Sequence, residues 1–142
     1  LGLEAAVYIK KAHISVEWLD ETITVDETTG EVISETFHIP AKAKEAISYR
    51  LGNGKYIERC RLEIEKVAKG RGLAMPVLFH QVLSGEVQPG DVVKYSEIPN
   101  LKRELKFLER APKFSADVKE LLFRLNKLVE AAEANHNPIA FT

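Results

Sequence analysis

The spacing of apolar residues changes along this chain, and the change limits the folds open to it. Up to residue 39 the spacing is two. In HISVEW, Ile14, Val16 and Trp18 alternate with His13, Ser15 and Glu17. Ile23 and Val25 continue the pattern, and Ile33, Phe37 and Ile39 repeat it against Ser34, Thr36 and His38. A strand sends successive side chains to opposite faces, so this alternation predicts half-buried antiparallel strands. Between the runs lies DETTGEVI, in which Gly30 supplies positive φ for a hairpin turn. AAVYIKK, ahead of His13, reads as a further strand or the start of a long bent one, and Tyr8 and Trp18 then share a sheet face.

Beyond Pro40, which suits the first turn of a helix, the spacing becomes helical. Ala43, Ala46, Ile47 and Leu51 share one face over 41–51, and Gly52 reads as a left-handed stop. A second helix runs from Lys55 to Gly70, and a short, nearly all-apolar one from about Pro76 to Leu83 reads as buried, His80 included. A Pro-Gly turn then precedes a short strand at Val92–Tyr95. Leu101, Leu105 and Leu108 mark a helix with Asn100 as its N-cap and Pro112 as its stop. The last helix is the clearest. Ser115 caps it, Asp117 and Glu120 suit its positive end, and Val118, Leu121, Leu122, Leu125, Leu128, Val129 and Ala132 form one stripe before Asn135 and Pro138. The expected fold is one α+β domain over 1–142. An N-terminal antiparallel meander of three or four strands (about 5–39) precedes four or five helices (about 40–136).

A chain of 142 residues can bury a full core, and its 45% hydrophobic and 29% charged content is that of a soluble globular domain. No apolar run approaches the roughly 18 residues of a membrane span. Cys60 is the only cysteine, so intramolecular disulfides and cysteine-rich zinc sites are excluded and a cytoplasmic setting is expected. Its place on an apolar helix face predicts an inert core thiol. Acids are mostly Glu, bases mostly Lys, and glutamine occurs only at Gln81 and Gln88, a thermophile tendency.

The net charge of −1 conceals an asymmetry. Residues 1–40 hold two bases against eight acids, and residues 41–71 hold nine bases against four acids. A polyanion would meet the middle segment, unless the two regions attract each other within the fold.

That segment contains YRLGNGKYIERCR, residues 49–61. A phosphate loop needs G-x-x-x-x-G-K-[ST], so that backbone amides wrap the phosphate and a hydroxyl reaches magnesium. Gly54 and Lys55 are present, but Tyr49 stands in place of the first glycine and Tyr56 in place of the hydroxyl residue. A dinucleotide fingerprint fails at Ile57. The glycines instead read as punctuation between two helices. On the second of these, Tyr56, Ile57, Cys60, Ile64, Val67 and Ala68 gather on one face, while Lys55, Arg59, Lys66 and Lys69 line the other around Leu62. Such a stripe can track phosphates by charge neutralisation, although Glu58, Glu63 and Glu65 flank it. Tyr49, in phase with Lys42, would add a stacking ring.

Catalytic patterns are missing from the sequence. His13 and His38 lie near Glu17 and Glu35, but no metal-ligand spacing such as H-x-x-x-H or H-x-H occurs, and no G-x-S-x-G. No cofactor or metal is expected. Phe123 points away from the leucine stripe, in phase with Lys119 and Lys127. Leu121, Leu125 and Leu128 fall near heptad a and d positions, which together with Phe123 predicts a homodimer interface. The favoured reading is a non-enzymatic, homodimeric binder of single-stranded DNA or RNA that uses Lys42, Tyr49, Lys55, Arg59, Lys66 and Lys69. The alternative is an assembly module built on the leucine-striped helix, and a small enzyme with an unfamiliar site comes third.

Overall fold

A computed structural model describes residues 2–13, 24–33, 45–110 and 113–142. In chain order it contains β1 (Gly2–Tyr8), a 3-10 turn (Lys11–His13), β2 (Thr24–Val25), β3 (Val32–Ile33), β4 (Glu45–Asn53), α1 (Gly54–Gly70), a π-helical segment (Val77–Val82), β5 (Val92–Val93), a second 3-10 turn (Tyr95–Glu97), α2 (Ile98–Glu109), α3 (Ala116–Asn135) and β6 (Ile139–Phe141). The fold is α+β, with a four-stranded antiparallel sheet and about four helices if the π-helical segment is counted. The strand-rich beginning roughly matches the expected N-terminal meander.

The sheet order is β4-β1-β6-β5, so both ends of the chain lie inside it. Ala5 faces Phe141 and Ala6 faces Ala140 between β1 and β6, while Val92 and Val93 of β5 face Ala140 and Ile139. Alternation then sorts the side chains. Ala5 and Val7 join the main core with Leu51, Val93, Ile139, Phe141 and the buried stripes of all three helices. Ala6, Tyr8 and Ala140 form a smaller cluster on the opposite face, with Val92 packed against it.

The helix expected over 41–51 is corrected to a strand where the structure describes it. β4 pairs with β1 along its length, from Gly2 opposite Asn53 to Tyr8 opposite Glu45. Ile47, Tyr49 and Leu51 turn toward the core, and Ala46, Ser48 and Arg50 lie exposed between them. Ile47 and Leu51 satisfy both a helical stripe and a strand alternation, and pairing with β1 selects the strand, with Tyr49 in place of Ala46 on the inner face. Arg124 of α3 donates to the Arg50 carbonyl and so ties helix to strand.

The hairpin around Gly30 forms as expected, with Thr24 and Val25 paired to Ile33 and Val32. Asp26 accepts from the amides of Thr28 (2.8 Å) and Thr29 (3.3 Å), and Gly30, at φ 77°, donates to the Asp26 carbonyl (2.8 Å). The strand runs expected over 14–23 and 34–39, with Trp18 and His38, lie outside the described residues.

α1 and α3 occupy their expected positions. α2 begins at Ile98, two residues before Asn100, with Pro99 in its first turn. The apolar segment after Pro76 is π-helical; Val77, Leu78 and Val82 are buried, but His80 is exposed, contrary to expectation. Strand β6 was not anticipated.

Candidate nucleic-acid interface

The stretch 49–61 is the end of β4 running directly into α1, with Gly52 in the strand and Gly54 the first residue of the helix, so the first of the two helices expected around these glycines is a strand. Asn53 is the N-cap of α1, its Oδ1 accepting from the Tyr56 amide at 2.8 Å. Gly52 has φ +142°, and a Cβ there would lie 2.3 Å from Cδ1 of Tyr56. The Tyr56 hydroxyl donates to the Asp117 carbonyl at 2.8 Å, and the Glu63 carboxylate accepts from the Ser115 amide at 2.8 Å. These bonds seat the N-terminus of α3 against α1.

Ile57, Cys60, Ile64 and Ala68 are the buried side of α1. Burial pushes the Cys60 thiol up, Asp117 adds to the effect, and the Tyr56 hydroxyl partly offsets it, so the reactive thiolate is disfavoured. On the other side Lys55, Arg59, Lys66 and Lys69 are exposed, with Leu62 at 58% exposure among them. Among the described residues, no carboxylate oxygen lies within 4.0 Å of Lys55, Lys66 or Lys69. Arg59 is 3.6 Å from Asp117, and its guanidinium lies 5.9 Å from the centre of the Tyr56 ring. Both partners of the ion pair are largely exposed, and such pairs contribute only about 0–1 kcal/mol, so another anion can displace Asp117 at little cost.

The remaining expected site residues do not gather with this row. Lys42 lies outside the described residues. Tyr49 sits on β4 opposite Ala5, half-buried and packed against the main core, so it is not the open ring that base stacking requires. Leu121, Leu125 and Leu128 are almost wholly buried in the core of their own chain. The seam expected between subunits is therefore filled from within, which corrects their assignment to a dimer interface. Phe123 is outward and 57% exposed, with the Lys127 ammonium 5.5 Å from its ring centre.

Two cavities border α1. One of about 490 Å³ opens beside its first turn, where Leu3, Ile57 and Leu83 supply apolar walls and Glu58, Arg61 and Ser84 polar ones. A second of about 350 Å³ lies between the later turns of α1 and the π-helical segment, reaching Phe79 and His80. Arg61 lines both and is held by Glu65 at 3.0 Å.

Sequence reasoning missed two polar features. Tyr95 and His136 meet through a 3.0 Å bond between the hydroxyl and Nδ1, with His136 in left-handed geometry after α3. Asn135 and Asn137, on either side of it, tie this corner to the beginning of the chain. Asn135 Oδ1 accepts from the Lys10 amide and lies 3.3 Å from His13 Nδ1, and Asn137 donates to the Tyr8 carbonyl at 2.7 Å. These contacts join residues far apart in sequence, so no local pattern announces them. Among the described residues, no group of three or more His, Cys, Asp or Glu side chains is placed to hold a metal ion, and no helix is long and apolar enough to cross a membrane.

No protein-family model, curated protein or solved structure matches this chain.

Proposed function

We propose that the protein binds single-stranded DNA or RNA without acting on it as an enzyme, and that the outer face of α1 contacts the phosphates. The observation that supports this reading is the row Lys55, Arg59, Lys66 and Lys69, exposed along one face with only Arg59 near a carboxylate among the described residues. A phosphate backbone bound by such a row releases counterions, so its affinity falls with salt. The lone cysteine, buried as Cys60, suits a cytoplasmic setting.

The test is an anisotropy titration with a labelled oligonucleotide over a range of salt concentrations. Binding at low salt is expected. Replacing Lys66 and Lys69 by Ala together should flatten the slope of log affinity against log salt by about 1.4, at about 0.7 per phosphate contact on a single strand. An intact, folded protein that fails to bind at low salt would overturn the reading.

A second reading is self-association. Phe123 is a large apolar group left outside on α3, and pairing two copies through that face would cover it. Light scattering after size exclusion should then give a dimer mass that Phe123→Ser converts to a monomer. A wild-type monomer at high concentration would remove this reading.

A further inference from the structure

We propose that the outer face of α2 contacts single-stranded nucleic acid, where Phe107 stacks on a base while Arg103, Lys106 and Arg110 hold the flanking phosphates. The inference rests on the nucleic-acid reading above, but it uses a different helix and different chemistry.

The buried side of α2 is Ile98, Leu101, Glu104, Leu105 and Leu108. At 100° per residue, Arg103, Lys106 and Arg110 then fall on the opposite side, with Phe107 on its flank. All four are exposed, Phe107 at 42%. Arg103 and Arg110 stand one turn before and one turn after Phe107, spanning about 10 Å of helix. Among the described residues, no carboxylate oxygen lies within 4.0 Å of Arg103, Lys106 or Arg110. The acids of the region are engaged or set aside. Glu104 is buried beneath the helix, Glu97 reaches Arg103 only through Asn100, and Glu109 lies on the flank away from Phe107. Lys102, on that same flank, is taken by Glu133 at 3.0 Å.

Among the described residues, the other exposed aromatic rings are less suited to a base. Tyr95 has its hydroxyl bonded to His136 and its ring centre 5.4 Å from the imidazole. Beside Phe123, Arg124 is paired with Glu120 at 2.6 Å and Lys127 with Glu130 at 3.5 Å, so two of its neighbouring bases are already taken. Phe107 combines an open ring with bases on each side. Binding of a single strand requires that pairing of stacking surface and positive charge, whereas a duplex hides its bases and draws on charge alone.

The experiment measures binding of labelled oligo-dT and of a duplex of equal length, each at several salt concentrations. Thermal melting confirms that every variant is folded. Phe107→Leu keeps an apolar side chain but removes the ring. It should weaken oligo-dT binding by about 10-fold, leave the salt slope unchanged and leave duplex binding unchanged. Phe107→Tyr keeps the ring and should bind as wild type. Arg103→Gln together with Lys106→Gln should flatten the salt slope by about 1.4. Oligo-dT binding by Phe107→Leu equal to wild type, or an equal loss on duplex, overturns the proposal and leaves the α1 reading intact. Failure of the wild-type protein to bind either ligand overturns both. If the α2 variants weaken binding while Lys66→Ala with Lys69→Ala does not, α2 is supported and α1 is displaced as the surface.

Discussion

Glu104 is buried, and among the described residues no salt bridge neutralises it; two backbone amides hold it instead. Its carboxylate accepts from Leu78 N at 2.9 Å and from Val77 N at 3.4 Å, groups that the first turn of the π-helical segment leaves unpaired. Burial pushes its carboxyl above the usual glutamate range, and the Leu78 and Val77 amides pull it partly back. A raised folded value means that the native state holds this proton more tightly than the unfolded chain does. Its contribution to stability is therefore complete below the ordinary glutamate value and is lost as pH rises through the folded one. Urea melts across this range should show Glu104→Gln gaining on wild type as pH rises. Glu104→Ala should cost about 1–3 kcal/mol, because it strands buried amides. At Gly52 the constraint is steric. The ring of Tyr56 covers it and is tethered by its hydroxyl to the Asp117 carbonyl, so an added methyl meets a ring with little freedom to move. With φ at +142° as well, Gly52→Ala should lower stability by about 2–3 kcal/mol in denaturant melts.

Among the elements, α3 was the most legible in sequence. Twenty residues repeat the stripe several times, and the Ser115 cap lies beside it, its Oγ accepting from Val118 N at 3.3 Å. Periodicity of that length leaves no alternative to a helix with one buried side. What the stripe packs against was not legible, and the answer proved to be β1, β4, β6, α1 and α2 of the same chain. Leu125→Ala should therefore cost about 2–5 kcal/mol by equilibrium unfolding, as a cavity in a closed core does. Phe123→Ser, on the opposite side, should stay within about 0.5 kcal/mol in a monomer. Strand β4 marks the opposite limit. Its nine residues are too few to separate alternation from a helical stripe when Ile47 and Leu51 fit both. The basic face of α2 was missed in the sequence, where Leu101, Leu105 and Leu108 alone marked the helix, and the burial of Glu104 is what removes an adjacent acid from that face.

Across the whole molecule, the sheet draws its inner strands from opposite ends of the chain. β6 sits between β1 and β5, and its residues Ile139, Ala140 and Phe141 are all buried. Removing residues 139–142 should therefore abolish the cooperative thermal transition rather than fray an end, which calorimetry would show directly. Charge is also arranged at this scale. Among the described residues, no ion pair joins 1–40 to 41–71; the described pairs of α1 are Arg59 with Asp117 of α3 and Arg61 with Glu65 of α1 itself. The sequence by itself determined α1, α3, the Ser115 cap, the buried sides of both helices and the turn at Gly30, because each depends on residues a few positions apart. Only the tertiary structure decided that 45–53 is a strand, that Tyr49 turns to the core and that the leucine stripe is closed within one chain. It also placed the beginning and end of the chain side by side. Those outcomes depend on hydrogen bonds and packing between segments more than 130 positions apart, such as Ala5 with Phe141, and no local spacing carries that information.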